Sequence, residues 1–253
     1  MGTALAAGLL SSGWAQRGDI ALADPDPAAR VRLGDRYPDL EALEAPVPAD
    51  ALVLAVKPKD VVAACRALPR GGYGRALSIV AGVPVARLEA CLWPGLPVVR
   101  AMPNTPALVG SGASAIAGGS AAGEADLEWA EGLLSALGVV VRLSEPLLDV
   151  ATGLSGSGPA YIFLVAEALI EAGVLAGLDR EVATVLTVQT LVGAGRMLAE
   201  TAESPERLRA AVTSPGGTTA VGLRALEERG VRAAFLEAVE AAVRRSREIG
   251  AEH

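Results

Sequence analysis

Short continuous apolar runs alternate with amphipathic stretches through the first half of the chain. Ala51-Leu52-Val53-Leu54-Ala55-Val56 and Ala76-Leu77-Ser78-Ile79-Val80 have the uninterrupted apolar character of strands buried on both faces. Asp19–Asp24, Val98–Met102, Ala113–Ala117 and Val139–Leu143 read as further strands. Between them the 3.6-residue spacing predicts helices over Thr3–Trp14, Pro27–Arg36, Asp60–Leu68, Val85–Leu92 and Glu124–Leu137. Strands that alternate with helices argue for βαβ units and a largely parallel sheet.

The pattern changes near Ser144. Beyond it no strand is expected. Helices are predicted over Pro159–Ala176, Arg180–Glu200, Pro205–Val212, Gly217–Arg229 and Arg232–Ile249. Pro159 suits a first helical turn, Asp179 and Ser204 are expected N-caps, and Gly230 an expected C-terminal cap. The chain thus reads as an α/β domain over residues 1–144 followed by an all-helical domain over 145–253.

Composition narrows the function classes. Hydrophobic residues make up 51% and aromatics only 3%, so the core must be aliphatic and rich in alanine. A net charge of -7 without a basic run leaves no electrostatic footprint for nucleic acid. Cys65 and Cys91 lack metal-ligand spacing and read as free thiols in a reducing compartment. The start has no basic n-region, so a cytoplasmic location is expected. The segment Pro159–Leu178 is apolar enough to suggest a membrane span. Glu167 and Glu171 interrupt it, and burial between subunits accounts for it better. The only histidine is His253, so a proton donor must be a hydroxyl, a carboxyl, a lysine, water or the substrate itself.

Four segments carry candidate chemistry. Ala55-Val56-Lys57-Pro58 follows a buried strand, where open α/β sheets bind ligands, and Lys57 and Lys59 are the only lysines. A cation there suits a phosphate or ribose; a solvated helix start is the plainer alternative. Arg100-Ala101-Met102-Pro103-Asn104-Thr105-Pro106 is a proline-stiffened loop holding the only asparagine. Asn104 suits an amide that orients a nicotinamide or a water, or else a turn residue bonding its own backbone. Thr152-Gly153-Leu154-Ser155-Gly156-Ser157-Gly158-Pro159-Ala160-Tyr161 fails the hydrolase elbow, because residue 157 is serine and no internal histidine is present. A hinge and helix start between domains is expected there. Thr213-Ser214-Pro215-Gly216-Gly217-Thr218-Thr219 opens a helix and offers a carboxylate cradle, or an ordinary capped start.

These four segments, in this order, resemble the pyrroline-5-carboxylate reductase family over essentially the whole chain. The resemblance implies a Rossmann-like domain followed by a helical dimerisation domain that interlocks with a partner subunit. It implies NADPH as cofactor, with NADH possible, and reduction of 1-pyrroline-5-carboxylate to proline. Ala55, Val56, Lys57, Pro58 and Ala81 would then line the cofactor site. Met1-Gly2 would be the tail of its glycine-rich turn. Ser214, Gly217, Thr218 and Thr219 would hold the substrate carboxylate and imine nitrogen, with Thr219 on the nitrogen. Glu145 falls where the family has an acid near the substrate. No metal is implied.

Two features depart from the pattern. A dinucleotide fold opens with a buried strand and a glycine-rich turn, whereas this sequence opens at the helix. The expectation is a start upstream of Met1, the alternative being a lost cofactor site and a scaffolding role. Asp24 suits the ribose hydroxyls of NAD, while Arg30 and Arg32 favour a 2′-phosphate. A hydroxyacid reductase on the same architecture is the other enzymatic alternative; it would want a lysine on the substrate side, and both lysines fall at the cofactor strand.

Overall fold

The computed structural model describes residues 1–38 and 40–252, without the side chains of Ala4, Arg36 and Glu252. His253 lies outside the described residues. The chain forms two compact units: residues 1–159 together with the segment from Val239 onward, and residues 160–238.

The first unit is built on a five-stranded sheet in spatial order β3-β4-β5-β6-β7. Its strands are β3 (Ala51–Leu54), β4 (Arg75–Ser78), β5 (Val98–Met102), β6 (Gly112–Gly118) and β7 (Gly138–Arg142). All neighbours are parallel except β5 and β6. This is the largely parallel sheet expected from the pattern. Only the 103–111 segment joins β5 and β6, too short for a crossover helix, so β6 must return antiparallel. Buried aliphatic side chains cover both faces. On one, Leu5 and Leu9 of α1 (Gly2–Ser11) and Leu133 and Leu134 of α5 (Glu124–Ser135) meet Leu77, Val99 and Ile116. On the other, Val61 and Cys65 of α3 (Val61–Ala67) and Leu88 of α4 (Val85–Cys91) meet Leu52, Leu54 and Val98.

A separate two-stranded parallel ribbon pairs β1 (Ala21–Ala23) with β2 (Glu41–Leu43). The pattern does not predict β2, because three residues are too few to show a period. Between the ribbon strands runs α2 (Pro27–Arg36), whose bounds match expectation; Asp26 caps it by accepting from the Ala28 N–H.

Residues 152–158 lead into the expected helix start, just before the boundary between the two units. Here α6 (Leu148–Ala151) passes into a π-type turn over Thr152–Gly156, closed by the Ser157 N–H donating to the Thr152 carbonyl at 2.8 Å. The Thr152 and Ser155 hydroxyls donate back to the carbonyls of Leu148 and Ala151, which stitches the small residues into helical form. Leu148 is fully buried beside Ala115 and Ala117 of β6. The next helix, α7 (Gly158–Leu175), starts directly afterwards.

The second unit consists of most of α7, then α8 (Arg180–Glu200), α9 (Pro205–Ala211), α10 (Thr218–Glu228) and the first part of α11 (Val231–Glu252). Ser204 caps α9 as expected, by accepting from the Arg207 N–H. Asp179 sits at the N-cap of α8, but its side chain accepts no capping hydrogen bond. The helical run Glu145–Leu175 and α8 are each long and apolar enough to cross a membrane.

Candidate active site

Because β3, β4 and β5 are parallel neighbours, their carboxyl ends lie side by side on one edge of the sheet. Ala55, Val56 and Lys57 leave the end of β3 exposed to solvent, and Ala81 leaves the end of β4 exposed as well. Asn104 follows β5. The amino end of α1 comes to the same edge: a Cβ built on Gly2 would lie 2.7 Å from the Ala55 Cβ. No side chain caps α1 and no acid occupies its first turn. The first residues of α1 therefore stand at the carboxyl end of β3, with glycine at the point of closest approach. This arrangement fits the pyrophosphate of a dinucleotide. The structure thus brings together Met1, Gly2 and the Ala55–Pro58 segment, and places Ala81 and Asn104 on the same edge.

Asn104 is buried, and both ends of its amide are engaged. Its Nδ2 donates to the Ser155 carbonyl at 3.0 Å, and its Oδ1 accepts from the Ala113 N–H at 2.9 Å. Neither sequence reading anticipates this, since the partners lie far along the chain rather than in its own turn. The amide pins the loop after β5 to β6 and to the π-type turn.

Asp24 and Arg30 are mutually arranged at the end of β1. The Arg30 guanidinium donates to the Asp24 carbonyl at 2.7 Å and to that of Pro25 at 3.0 Å. Arg32 lies 3.6 Å from Asp26 in an exposed pair. Arg30 therefore lies beside Asp24 through that residue's backbone carbonyl, while Arg32 is paired with Asp26.

The sequence reading missed a buried charge cluster. Arg100 in the middle of β5 has a side chain only 4% exposed. Its guanidinium donates to Glu145 Oε1 at 2.8 Å and lies 3.5 Å from Asp149 Oδ1. Glu145 Oε1 also accepts from the Val85 N–H at 3.1 Å, and the Ser246 hydroxyl donates to Asp149 Oδ1 at 2.8 Å. The signal was available: a cation inside the apolar run Val98–Met102 cannot be buried without carboxylate partners. Glu145 thus occupies the first unit, with one oxygen already committed to Arg100 and to a helix start.

In the second unit, Ser214, Gly217, Thr218 and Thr219 come together on one turn. Gly216 has φ +70, and the Gly217 N–H donates to the Ser214 carbonyl at 3.0 Å. A Cβ on Gly217 would meet the Ser214 Oγ, so a side chain there would turn that hydroxyl away from its present place. Gly217 is the N-cap of α10 and offers no side chain to its first N–H groups. Ser214, Thr218 and Thr219 are all exposed around that open start. A helix start without a side-chain cap, with three hydroxyls around it, has the chemistry to bind a carboxylate.

Cys65 is buried in α3, and burial together with neighbouring Cys91 pushes its thiol up to about 11. Both cysteines are free. Among the described residues no group of acids, histidines and cysteines is placed to hold a metal.

A mostly parallel sheet, a helix start at its carboxyl edge and a separate helical unit define a dinucleotide-dependent oxidoreductase of Rossmann-like architecture. Residues 145–249 match the family described as pyrroline-5-carboxylate reductase dimerisation. Relatives named pyrroline-5-carboxylate reductase include one from Synechocystis, 44% identical over 92% of this chain and 88% of its own length. Another, from Corynebacterium melassecola, is 40% identical over 99% of this chain and 95% of its own length. Among solved structures, the Coxiella burnetii pyrroline-5-carboxylate reductase aligns with a TM-score of 0.85 at 34% identity, covering 97% of this chain and 93% of its own. The Plasmodium falciparum pyrroline carboxylate reductase, solved with NADP bound, aligns with a TM-score of 0.86 at 29% identity, covering 99% of this chain and 94% of its own. The chain belongs to the pyrroline-5-carboxylate reductase family.

Proposed function

We propose that this chain reduces the C=N bond of 1-pyrroline-5-carboxylate to give L-proline, using NADPH, with NADH as a possible substitute. The observation that carries the substrate assignment is the Ser214–Thr219 turn, where exposed hydroxyls surround the uncapped start of α10. A small cyclic imino acid presents one carboxylate and one ring nitrogen, and the turn offers a matching set of donors.

The cofactor, when bound, supplies the hydride. The chain's own residues bind and orient. Met1 and Gly2 at the start of α1 receive the pyrophosphate; Ala55, Val56, Lys57, Pro58 and Ala81 line the dinucleotide. Asn104 serves the same site by fixing the loop that follows β5. Arg30 and Arg32 favour the 2′-phosphate. Ser214, Gly217 and Thr218 hold the substrate carboxylate. Thr219 is the catalytic residue: its hydroxyl hydrogen-bonds the ring nitrogen and holds it in the orientation in which that nitrogen gains its proton. A threonine hydroxyl is a poor acid at neutral pH, so its contribution is positioning and polarisation. The functional division falls at 144/145, with cofactor binding before it and substrate binding and dimerisation after it.

Helices α7 and α8 are read as surfaces for a second copy rather than for lipid, consistent with the dimerisation family matched over 145–249. The reading places the enzyme in the cytoplasm, with the small-molecule substrate and itself as partners and neither nucleic acid nor membrane.

The test is NADPH oxidation against a panel of 1-pyrroline-5-carboxylate, other cyclic imines and 2-oxo acids. Turnover confined to the pyrroline carboxylate is expected. Turnover of 2-oxo acids instead would transfer the chain to the hydroxyacid reductases, and no turnover of any substrate would favour a scaffold.

A further inference from the structure

The buried cluster around Arg100 has a geometry that the reaction as described does not use. The loop after β4, Ile79–Pro84, leads into α4, whose N-cap is Pro84 and therefore has no polar side chain to offer the helix start. The cap comes instead from far along the chain, because Glu145 Oε1 accepts from the Val85 N–H at 3.1 Å. The same oxygen is held at 2.8 Å by Arg100. The other side of the loop is held by the end of α11. A Cβ on Gly82, which has φ +75, would lie 2.8 Å from the Ile249 Cγ2, and a Cβ on Gly250 would lie 2.7 Å from the Gly82 carbonyl oxygen. That part of α11 is tied in turn to Asp149 through Ser246, and Asp149 lies 3.5 Å from Arg100. One guanidinium therefore anchors both supports of a single loop.

We infer that Arg100 is a positioning residue for the cofactor: through Glu145 on one side, and through Asp149 and Ser246 on the other, it fixes the Ala81–Pro84 loop against which the dinucleotide lies. The inference rests on the proposed reading of Ala81 as part of the cofactor site. It also gives Glu145 a role toward the cofactor rather than the substrate. Buried charged groups with several partners have few alternative arrangements, which suits them to holding a backbone segment in one place.

The experiment uses the full chain and three variants, Glu145→Ala, Glu145→Gln and Gly250→Ala. Glu145→Ala frees the Val85 N–H, Glu145→Gln keeps an acceptor oxygen for it, and Gly250→Ala presses on the loop from the α11 side. NADPH affinity is measured by calorimetry, KM for each substrate by turnover, and protection of the Val85 amide by hydrogen exchange. Glu145→Ala and Gly250→Ala are expected to weaken NADPH binding about tenfold, with KM for the pyrroline carboxylate changed less than about twofold. Glu145→Gln is expected to recover most of the lost affinity. Val85 should lose protection in Glu145→Ala and keep it in Glu145→Gln. Unchanged NADPH affinity in Glu145→Ala, or a rise confined to the KM for the imino acid, overturns the inference and returns Glu145 to the substrate. If no imine is turned over, the functional reading fails while NADPH affinity still decides the positioning role. If NADPH does not bind either, Val85 exchange decides it, and equal protection in parent and Glu145→Ala overturns it.

Discussion

The two compact units handle the same aliphatic residues in opposite ways. In the sheet-bearing unit, Leu77, Val98 and Ile116 have essentially no surface left. In residues 160–238 only Ala183 and Thr187 are buried, while Phe163 is 61% and Leu164 65% exposed. Burial of apolar surface is worth roughly 25 cal/mol per Å², so the first unit has a source of stability within its own chain and the second does not. The contrast agrees with the dimerisation family matched over residues 145–249: the exposed apolar faces of the helical unit suit burial against a second copy.

The largest effect should come from breaking that interface. Leu164→Glu is expected to abolish self-association, with turnover lost along with it. Analytical ultracentrifugation and circular dichroism check this; a variant that stays assembled and active would show that α7 does not face a partner. Next in size is Thr219→Ala, which removes one exposed hydroxyl and touches neither core. A fall in kcat of about a hundredfold is expected, with assembly and melting temperature unchanged. Kinetics equal to the parent's would remove Thr219 from the reaction. The smallest effect lies within the sheet-bearing unit. Because the Cys65 pKa is raised, the folded state keeps its proton while the unfolded state loses it. The stability that this thiol contributes is complete below its ordinary value of 9.0 and declines as pH rises toward about 11. Urea midpoints across that range should fall less steeply in Cys65→Ala than in the parent, and parallel curves would show that Cys65 contributes nothing to the decline.

The same contrast explains what could be read from the amino-acid sequence. Strands such as Val98–Met102 were legible because burial on both faces demands an unbroken apolar run. Helix α8 was legible because no proline interrupts Arg180–Glu200 and only two glycines, Gly193 and Gly195, fall within it. The ribbon strand Glu41–Leu43 was not, since three residues hold no period. The stretch 152–158 looked like a hinge because glycine and serine dominate it. A Cβ on Gly153 would lie 2.7 Å from the Val243 Cγ2, so the glycine serves close packing against α11 rather than bending. Local composition cannot distinguish these two uses. Of the candidate site, the segments 55–58 and 214–219 were visible as motifs, since each is contiguous. The Arg100 cluster draws on residues 85, 100, 145, 149 and 246, and no local pattern joins them.

The docking of the α11 end beneath the Gly82 turn also sets an order of events during synthesis. The carboxyl edge of the β3–β5 strands is encoded early, but one support of the loop after β4 is encoded by residues 246–250. At about 5–20 residues per second, a ribosome takes on the order of ten seconds to pass from one to the other. During that interval the β4 strand and its helix can pack, yet the loop between them lacks its buttress. A nascent chain of this protein therefore completes the packing around the Gly82 turn only once the end of α11 has been made.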